Sequence, residues 1–204
     1  MTIETTPRFI PPCAIPSIPW VKLWIDGHEV STEMHYQKQS LRNRYSILGV
    51  NGPIWLTIPV ESTQGIRTPI KEIRIARNEW RRVHWRTLLS AYARAAFWEH
   101  YSSALQRIFY NEHTFLIDVH FEMTEWILSS GITPKPIHER QKTQEVLHSE
   151  AWEPHHKWPL QNEYPQVFSD RHPFQHNLSI IDLVMNLGPK SNLYMHQVSI
   201  QSKS

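Results

Sequence analysis

The pattern of hydrophobic and polar residues changes near the middle of the chain. Before residue 76, short apolar runs are interrupted by proline, glycine and asparagine, which is typical of strands and turns. The predicted strands are Arg8–Ile10, His28–Thr32, Tyr45–Val50, Pro53–Pro59 and Ile70–Ile75. A short helix is expected over Pro16–Asp26, ended by Gly27. The Asn51-Gly52 pair predicts a hairpin with a type I′ turn.

After residue 76, apolar residues recur every three or four positions, which predicts helices. The predicted helices are residues 78–95, Phe97–Tyr110, Thr114–Ser129 and Asn177–Gly188, with Asn78 and Asn177 as N-caps. Ile132–Ile137 is expected to be extended, residues 138–172 to form an irregular arm, and residues 1–6 to be frayed. The fold class predicted is α/β or α+β, as a single domain over residues 1–204.

The helix predicted over residues 78–95 carries two residues of chemical interest. Its apolar face is shared by Trp80, His84, Thr87, Leu88, Ala91 and Ala95. Arg81 falls between Leu88 and Tyr92 around the helix, so we expect it to point inward with His84. Such a pair near a helix N-terminus would favour an anion. The alternative is a hydrogen-bonded core histidine and an arginine that extends to the surface.

Residues 34–44 are densely polar and follow neither the strand nor the helix period. The run contains His35, Tyr36, Gln37, Lys38, Arg42, Asn43 and Arg44. Loops that contact an anionic or sugar-like ligand often have this composition. A solvated connection between two strands is the alternative.

The composition is that of a globular protein of 204 residues with 40% hydrophobic and 20% charged residues. Its formal net charge of +2 argues against nucleic-acid binding. Cys13 is the only cysteine, so an intrachain disulfide is impossible, as suits a reducing compartment. The sequence contains neither a signal-peptide pattern nor a stretch long enough to span a membrane, so we expect a soluble, cytoplasmic protein.

The common catalytic motifs for serine hydrolases, nucleotide binding and zinc peptidases are absent, and no motif requires a cofactor. Cys13 has no neighbouring base and is a poor candidate nucleophile. His155-His156 lacks further ligands at helical spacing, so no metal site is predicted. Histidine therefore remains the best candidate acid or base, at His35 or His84, whereas His100 fits an interfacial position among aromatic residues.

Asp182 lies within an apolar helical segment, where a carboxylate is normally paired. The candidate partners are the cations Arg42, Arg44 and Arg81. The alternative is that Asp182 marks the solvent edge of the helix.

Three segments of the chain together resemble the WbqC-like family. The first is His35-Tyr-Gln-Lys-Gln with Arg42-Asn-Arg44 and the hairpin through Leu56-Thr-Ile-Pro59. The others are Trp80 to Arg86 with Ser90-Ala-Tyr92, and Asn177-Leu-Ser-Ile-Ile-Asp182. They follow the family's order, and the resemblance runs from about Phe9 to Ser191. Many members begin with Gln-Pro-aromatic-x-Pro, whereas this chain has Phe9-Ile-Pro11-Pro12, so a ligand-binding role of that glutamine does not carry over.

The resemblance implies a role in bacterial surface-polysaccharide (O-antigen) biosynthesis, with transfer of an acyl or aminoacyl group onto a nucleotide-linked amino sugar. In this hypothesis His84 or His35 is the general base, and Arg42, Arg44 and Arg81 bind a diphosphate or carboxylate. The other substrate-binding candidates are Tyr36, Gln37, Lys38, Asn43, Asn177 and Asp182. The partner expected is a small molecule, a sugar nucleotide or acyl donor.

A second hypothesis is a non-catalytic module that binds a ligand or protein in envelope biosynthesis. A third is nucleic-acid binding through Arg77, Arg81, Arg82 and Arg86, which the low net charge disfavours. The sequence specifies neither the donor, the acceptor nor the oligomeric state.

Overall fold

The structure is a computed structural model that describes residues 8–62, 67–77, 79–134, 145–146 and 158–200. The strands are β1 (Arg8–Ile10), β2 (Glu29–Val30), β3 (Arg44–Gly49), β4 (Gly52–Thr57) and β5 (Glu145–Val146). The helices are α1 (Ile18–Ile25), α2 (Trp80–Tyr92), α3 (Trp98–Tyr110), α4 (Leu116–Ser129), α5 (Ile180–Leu187) and α6 (Lys190–Gln197). Strands mostly precede helices, so the predicted mixed α/β class is confirmed.

The strands form two separate small sheets. In the first, β1 lies between β2 and β5 and pairs with both in parallel. In the second, β3 and β4 form the predicted hairpin, with Arg44 opposite Thr57 and Gly49 opposite Gly52. The predicted type I′ turn is wrong, because φ is positive at Gly52 (111°) but at neither Val50 nor Asn51. A turn of ordinary handedness followed by glycine at a bulge accommodates the same Asn-Gly pair.

Helix α1 lies within the predicted span but begins at Ile18, two residues after the predicted start at Pro16. The Ser17 hydroxyl accepts a 3.3 Å hydrogen bond from the Trp20 backbone N–H, and proline occupies the first turn. Trp20 is fully buried, and its indole N–H donates to the Pro11 carbonyl at 2.7 Å. The helix therefore anchors the segment that follows β1 in the core.

Helix α2 packs against β3 and α3 and is shorter than predicted, because it ends at Tyr92. Its buried residues are Trp80, His84, Trp85, Leu88, Ala91 and Tyr92. Thr87, expected on the apolar face, is only half-buried. The N-cap predicted at Asn78 lies outside the described residues.

The predicted strand Ile70–Ile75 is largely wrong. Ile70–Glu72 form one turn of 3₁₀ helix, and only isolated bridges follow, from Arg74 to Phe115 and from Ile75 to Val60. Helices α3 and α4 lie where helical spacing places them, beginning one and two residues later than predicted.

Helix α5 begins at Ile180 with Ser179 at its N-cap, so the predicted N-cap at Asn177 is wrong. The Ser179 N–H donates to the Ser46 carbonyl, and the Ile180 N–H donates to the Pro16 carbonyl. These contacts to β3 and to the start of α1 delay the helix, because they hold the preceding chain in an extended form. Helix α6 was not predicted.

Residues 138–172 are described only in part. Within that arm, β5 pairs with β1, while Trp158, Leu160 and Tyr164 are buried. Leu160 also forms a bridge with Ile200. The pair His155-His156 lies outside the described residues. Among the helices of the described ranges, none is both long and apolar enough to cross a membrane.

Candidate functional site

The polar run between β2 and β3 is held in place along its length. Its backbone is hydrogen-bonded through Tyr36 to Thr68, through Arg42 to Ala14 and through Asn43 to Ile58, at 2.8–2.9 Å. Ser40, Leu41, Arg42 and Asn43 are buried, whereas Tyr36, Gln37 and Arg44 are half-buried and His35 and Lys38 are exposed. The run is therefore a fixed part of the fold with its basic end turned inward.

Arg42 is a buried cation without an acidic partner among the described residues. Only 2% of the residue is exposed, and its Nη1 donates to the Gln37 side-chain carbonyl at 3.2 Å. Its Nε is buried and has no hydrogen-bond partner within the described part of the chain. Burial lowers the pKa of Arg42, because removing water disfavours the charged form. An unpaired buried charge is costly, so this position favours an anionic ligand.

Arg44 and Tyr36 extend the same basic cluster. The Nε of Arg44 is also buried without a partner. Burial raises the pKa of Tyr36, while the positive charges of Arg44 and Arg42 act in the opposite direction. Both guanidinium charges therefore act on the Tyr36 phenol, and burial favours its protonated form. We call Tyr36, Gln37, Arg42 and Arg44 the arginine site.

Cys13 lies beside the arginine site as a neutral thiol. Burial raises its pKa to about 12, although the charge of Arg42 acts to lower it. A thiol that keeps its proton is a poor nucleophile, which agrees with the expectation from sequence.

Asn43 links the arginine site to the end of β4. Its side-chain amide donates to the Ile58 carbonyl at 2.8 Å, and its carbonyl oxygen is buried without a hydrogen-bond partner. The side chain thus fixes the entry of the chain into β3.

His84 joins α2 to the hairpin. Its Nδ1 accepts a 3.0 Å hydrogen bond from the Tyr45 hydroxyl, which keeps its proton because burial raises its pKa. A hydrogen bond with the backbone of Thr57 engages the imidazole a second time, and the Trp80 ring lies edge-on at 5.0 Å. Burial lowers the pKa of His84 to about 4, so the imidazole is neutral at physiological pH.

His84 and the arginine site lie on different sides of β3. Tyr45, which holds His84, is adjacent to Arg44, and neighbouring side chains of a strand point to opposite faces. His35 is exposed and forms a bridge with Pro69 at the head of the polar run. The two candidate bases therefore have different surroundings.

Arg81 does not point into the interior, so its predicted orientation is wrong. The half-buried side chain crosses the Trp80 ring at 5.0 Å and donates to the Asn111 carbonyl at 3.1 Å. That carbonyl belongs to the C-cap of α3, where the helix dipole favours a cation. Arg81 is thus engaged with the end of a neighbouring helix.

Asp182 is fully buried, and its predicted pairing with an arginine is wrong. One carboxylate oxygen accepts a hydrogen bond from the Tyr92 hydroxyl at 2.8 Å, and the other accepts one from the Tyr164 hydroxyl at 2.7 Å. Burial raises the pKa of Asp182 to about 6, although these hydrogen bonds act to lower it. The solvent-edge alternative is wrong as well.

Tyr92 and Tyr164, the two donors to Asp182, are not marked as its partners by any local sequence pattern. Tyr92 follows Leu88 by four residues on α2, which is the spacing that predicts a buried position. Tyr164 lies in the irregular arm, where no periodicity marks a buried position.

The comparisons with known proteins decide the family. The sequence profile of the WbqC-like protein family matches residues 26–152, which is more than half of the chain. The chain belongs to the WbqC-like protein family. The matched span contains the arginine site, the hairpin and α2, but it ends before Asn177 and Asp182.

One relative of this WbqC-like protein is the uncharacterized protein Rv1507c of Mycobacterium tuberculosis. It is 31% identical over 103 residues, which make up 48% of this chain and 45% of the relative. The match thus spans less than half of that relative's length. No solved structure matches the chain.

The hairpin is the meeting point of the segments that resemble the WbqC-like family. The polar run leads into β3, and His84 of α2 is bonded to Tyr45 in the same strand. The hairpin also contacts the third segment, because the Ser46 hydroxyl in β3 donates to the Asn177 carbonyl at 3.3 Å. Asn177 has a left-handed backbone (φ 61°), and its side-chain oxygen accepts from the Trp158 N–H at 3.1 Å. Asn177 therefore contributes to the packing of the arm against the hairpin.

Proposed function

We propose that this WbqC-like protein is a cytoplasmic, single-domain transferase of bacterial surface-polysaccharide biosynthesis. It moves an acyl or aminoacyl group onto a nucleotide-linked amino sugar. The observation that carries the proposal is the buried Arg42 guanidinium, which lacks an acidic partner in the described part of the chain. A bound anion would supply the missing charge.

The reaction is an amide-forming substitution at an activated acyl group. The sugar amine nitrogen attacks the acyl carbon of a thioester donor, the new C–N bond forms and the C–S bond breaks. A base removes the amine proton, and the departing thiolate takes up a proton. No redox partner is needed.

The proposal distributes these roles among the residues of the polar run. Arg42 and Arg44 bind the anionic part of the substrate, and Tyr36, Gln37, Lys38 and Asn43 contact its polar groups. His35 serves as the base, because it is exposed beside the run, whereas His84 is engaged with Tyr45 and Thr57. Arg81 and Asp182 stay outside the site, because they have partners within the protein.

The test is a thermal-shift screen with nucleotide-linked amino sugars, acyl thioesters and free amino acids. We expect one nucleotide sugar to raise the melting temperature of the wild type, and this shift to vanish in Arg42→Lys. Lysine keeps the charge but lacks the guanidinium geometry. Arg86→Lys is the matched control, since Arg86 is exposed on α2.

Transfer is then measured by mass spectrometry with the ligand that binds. His35→Gln should abolish product formation without changing ligand affinity, whereas His84→Gln should retain transfer in the fraction that folds. If His35→Gln transfers at the wild-type rate, the assignment of the base is wrong. If no donor yields product from a bound sugar, the transferase proposal fails.

A non-catalytic binding module is the second candidate function. The observation that favours it is that His84, one of the two candidate bases, is buried in the core and hydrogen-bonded to Tyr45. This function predicts that a ligand is bound with dependence on Arg42 and is recovered chemically unchanged with every donor tested.

A further inference from the structure

The arginine site presents two guanidinium groups, and each has a buried nitrogen without a hydrogen-bond partner among the described residues. In Arg42, Gln37 accepts from Nη1, which lies on the opposite side of the guanidinium from the Nε–H. The edge formed by Nε and Nη2 is therefore left for another acceptor. In Arg44, Nε is likewise buried without a partner. This edge of a guanidinium binds two oxygens of one anion side by side.

A single carboxylate satisfies one such edge, because it has two oxygens. A second pair of acceptor oxygens is required for the second edge. A diphosphate diester offers non-bridging oxygens on two linked phosphorus atoms, and its two negative charges match the two guanidinium charges. Two guanidinium edges therefore need more oxygens than one carboxylate has, and the diphosphate of a nucleotide-linked substrate supplies them on two linked phosphorus atoms.

Tyr36 adds a phenol hydroxyl on which both arginine charges act. Its phenol lies in the field of both guanidinium groups and keeps its proton, since burial raises its pKa. A protonated phenol at that position can donate to an oxygen of the ligand. Arg42 is deeply buried while Tyr36 and Arg44 are half-buried, so a ligand would approach past the latter two.

We propose that Arg42 and Arg44 clamp the diphosphate of a nucleotide-linked substrate, one guanidinium to each phosphoryl group, with Tyr36 donating a third hydrogen bond. This inference rests on the proposed function and names the anionic part of its substrate. The Gln37 side-chain carbonyl accepts from Nη1 of Arg42 and fixes that side of the guanidinium.

The test compares two probes of equal charge by isothermal titration calorimetry at one ionic strength. Sulfate is a dianion with a single centre, and P1,P2-dimethyl diphosphate is a dianion with two. We expect the diphosphate to bind at least about tenfold more tightly, since each charge-assisted hydrogen bond contributes an amount of that order. Arg42→Lys and Arg44→Lys should each reduce diphosphate affinity about tenfold or more. Arg86→Lys should leave it unchanged.

The two probes also distinguish a failure of the diphosphate clamp from a failure of the proposed transferase activity. Equal affinity for the two probes, or dependence on only one of the two arginines, overturns the diphosphate clamp and leaves transfer to be judged by its own assay. Diphosphate binding with the expected dependence, but without transfer to any sugar nucleotide, supports the clamp and overturns the transferase. Binding of neither probe to the wild type overturns the clamp. The wild-type comparison stands even where a lysine variant fails to fold.

Discussion

The hydroxyl of Tyr164 donates a 2.7 Å hydrogen bond to the carboxylate of Asp182, which is completely buried. Tyr92 donates to the other carboxylate oxygen, and the Tyr92 hydroxyl itself accepts from the Leu48 N–H at 3.3 Å. One carboxylate therefore connects the partly irregular segment after residue 158 with α2, α5 and β3. Because these bonds lie in the core, the ionisation of Asp182 is coupled to the stability of the fold.

Asp182→Asn should weaken the dependence of stability on pH. Burial raises the pKa of Asp182 from its ordinary 3.8 to about 6. Between these values the folded protein holds a proton that the unfolded chain has released, so the stability falls as pH rises. The loss is complete above the folded pKa and amounts to about 3 kcal/mol. Urea unfolding from pH 4 to 7.5 should show this contribution in the wild type and not in the variant.

The matched control for this experiment is Asp170→Asn, because Asp170 is on the surface beside Arg171. It should retain the wild-type pH dependence. Burial lowers the pKa of His84 and His120 to about 4, and these groups change stability in the opposite direction over this range. The difference between wild type and Asp182→Asn isolates the carboxylate, and identical curves for the two proteins would contradict the prediction.

Tyr164→Phe should destabilise the protein more when Asp182 is ionised than when it is protonated. Removing the hydroxyl takes one of two strong donors from a buried carboxylate, at a cost of about 1 to 3 kcal/mol. The measurement is the free energy of unfolding at pH 8 and at pH 4.5. Tyr110→Phe is the control, since Tyr110 is exposed. A Tyr164→Phe protein as stable as this control at pH 8 would show that the hydroxyl contributes nothing.

The sequence predicts an element well where the signal lies within the element. Apolar spacing and Gly27 place α1 to within two residues, and helical spacing places α3 and α4. The sequence predicts an element poorly where a backbone group from a distant part of the chain determines the conformation. Asn177 satisfies every local rule for an N-cap, but contacts from Ser46 and Pro16 move the start of α5 to Ile180.

The same distinction applies to the candidate site. The composition of the polar run identifies Arg42 and Arg44, and helical spacing identifies His84 as buried. The partners of Asp182 could not be predicted, because Tyr164 lies in a segment without periodicity. The interaction of His84 with the backbone of Thr57 could not be predicted either, because backbone groups are the same at every residue and leave no pattern in the sequence.

His84→Gln should cost more stability at neutral than at acidic pH. Burial lowers the pKa of His84 from 6.5 to about 4, so the unfolded chain binds a proton that the folded protein does not. Wild-type stability therefore falls by about 3 kcal/mol as pH drops through this range. Glutamine does not titrate in this range. At pH 8 the His84→Gln substitution should lower the free energy of unfolding by about 1 to 3 kcal/mol, because hydrogen bonds of the imidazole are lost.

Unfolding at pH 8 and pH 4.5 checks this prediction, with His35→Gln as the control because His35 is exposed. The difference in the free energy of unfolding between wild type and His84→Gln should be smaller at pH 4.5 than at pH 8. The His35→Gln protein should be as stable as the wild type at both pH values. A gap that stays constant with pH would mean that His84 can be protonated in the folded protein.

Gly188→Ala should destabilise the protein by about 2 kcal/mol or more, because two costs coincide at this position. Gly188 ends α5 with φ 53° and ψ −126°, and an added Cβ would lie 2.4 Å from the Phe97 ring. Gly131→Ala isolates the backbone cost, since Gly131 has φ 92° and nothing within 4 Å of the added atom. The free energy of unfolding of the Gly131→Ala variant should fall by about 1 kcal/mol. Thermal unfolding measures both variants, and Phe97→Leu combined with Gly188→Ala should recover part of the difference. Equal losses in the two alanine variants would show that the ring moves aside without cost.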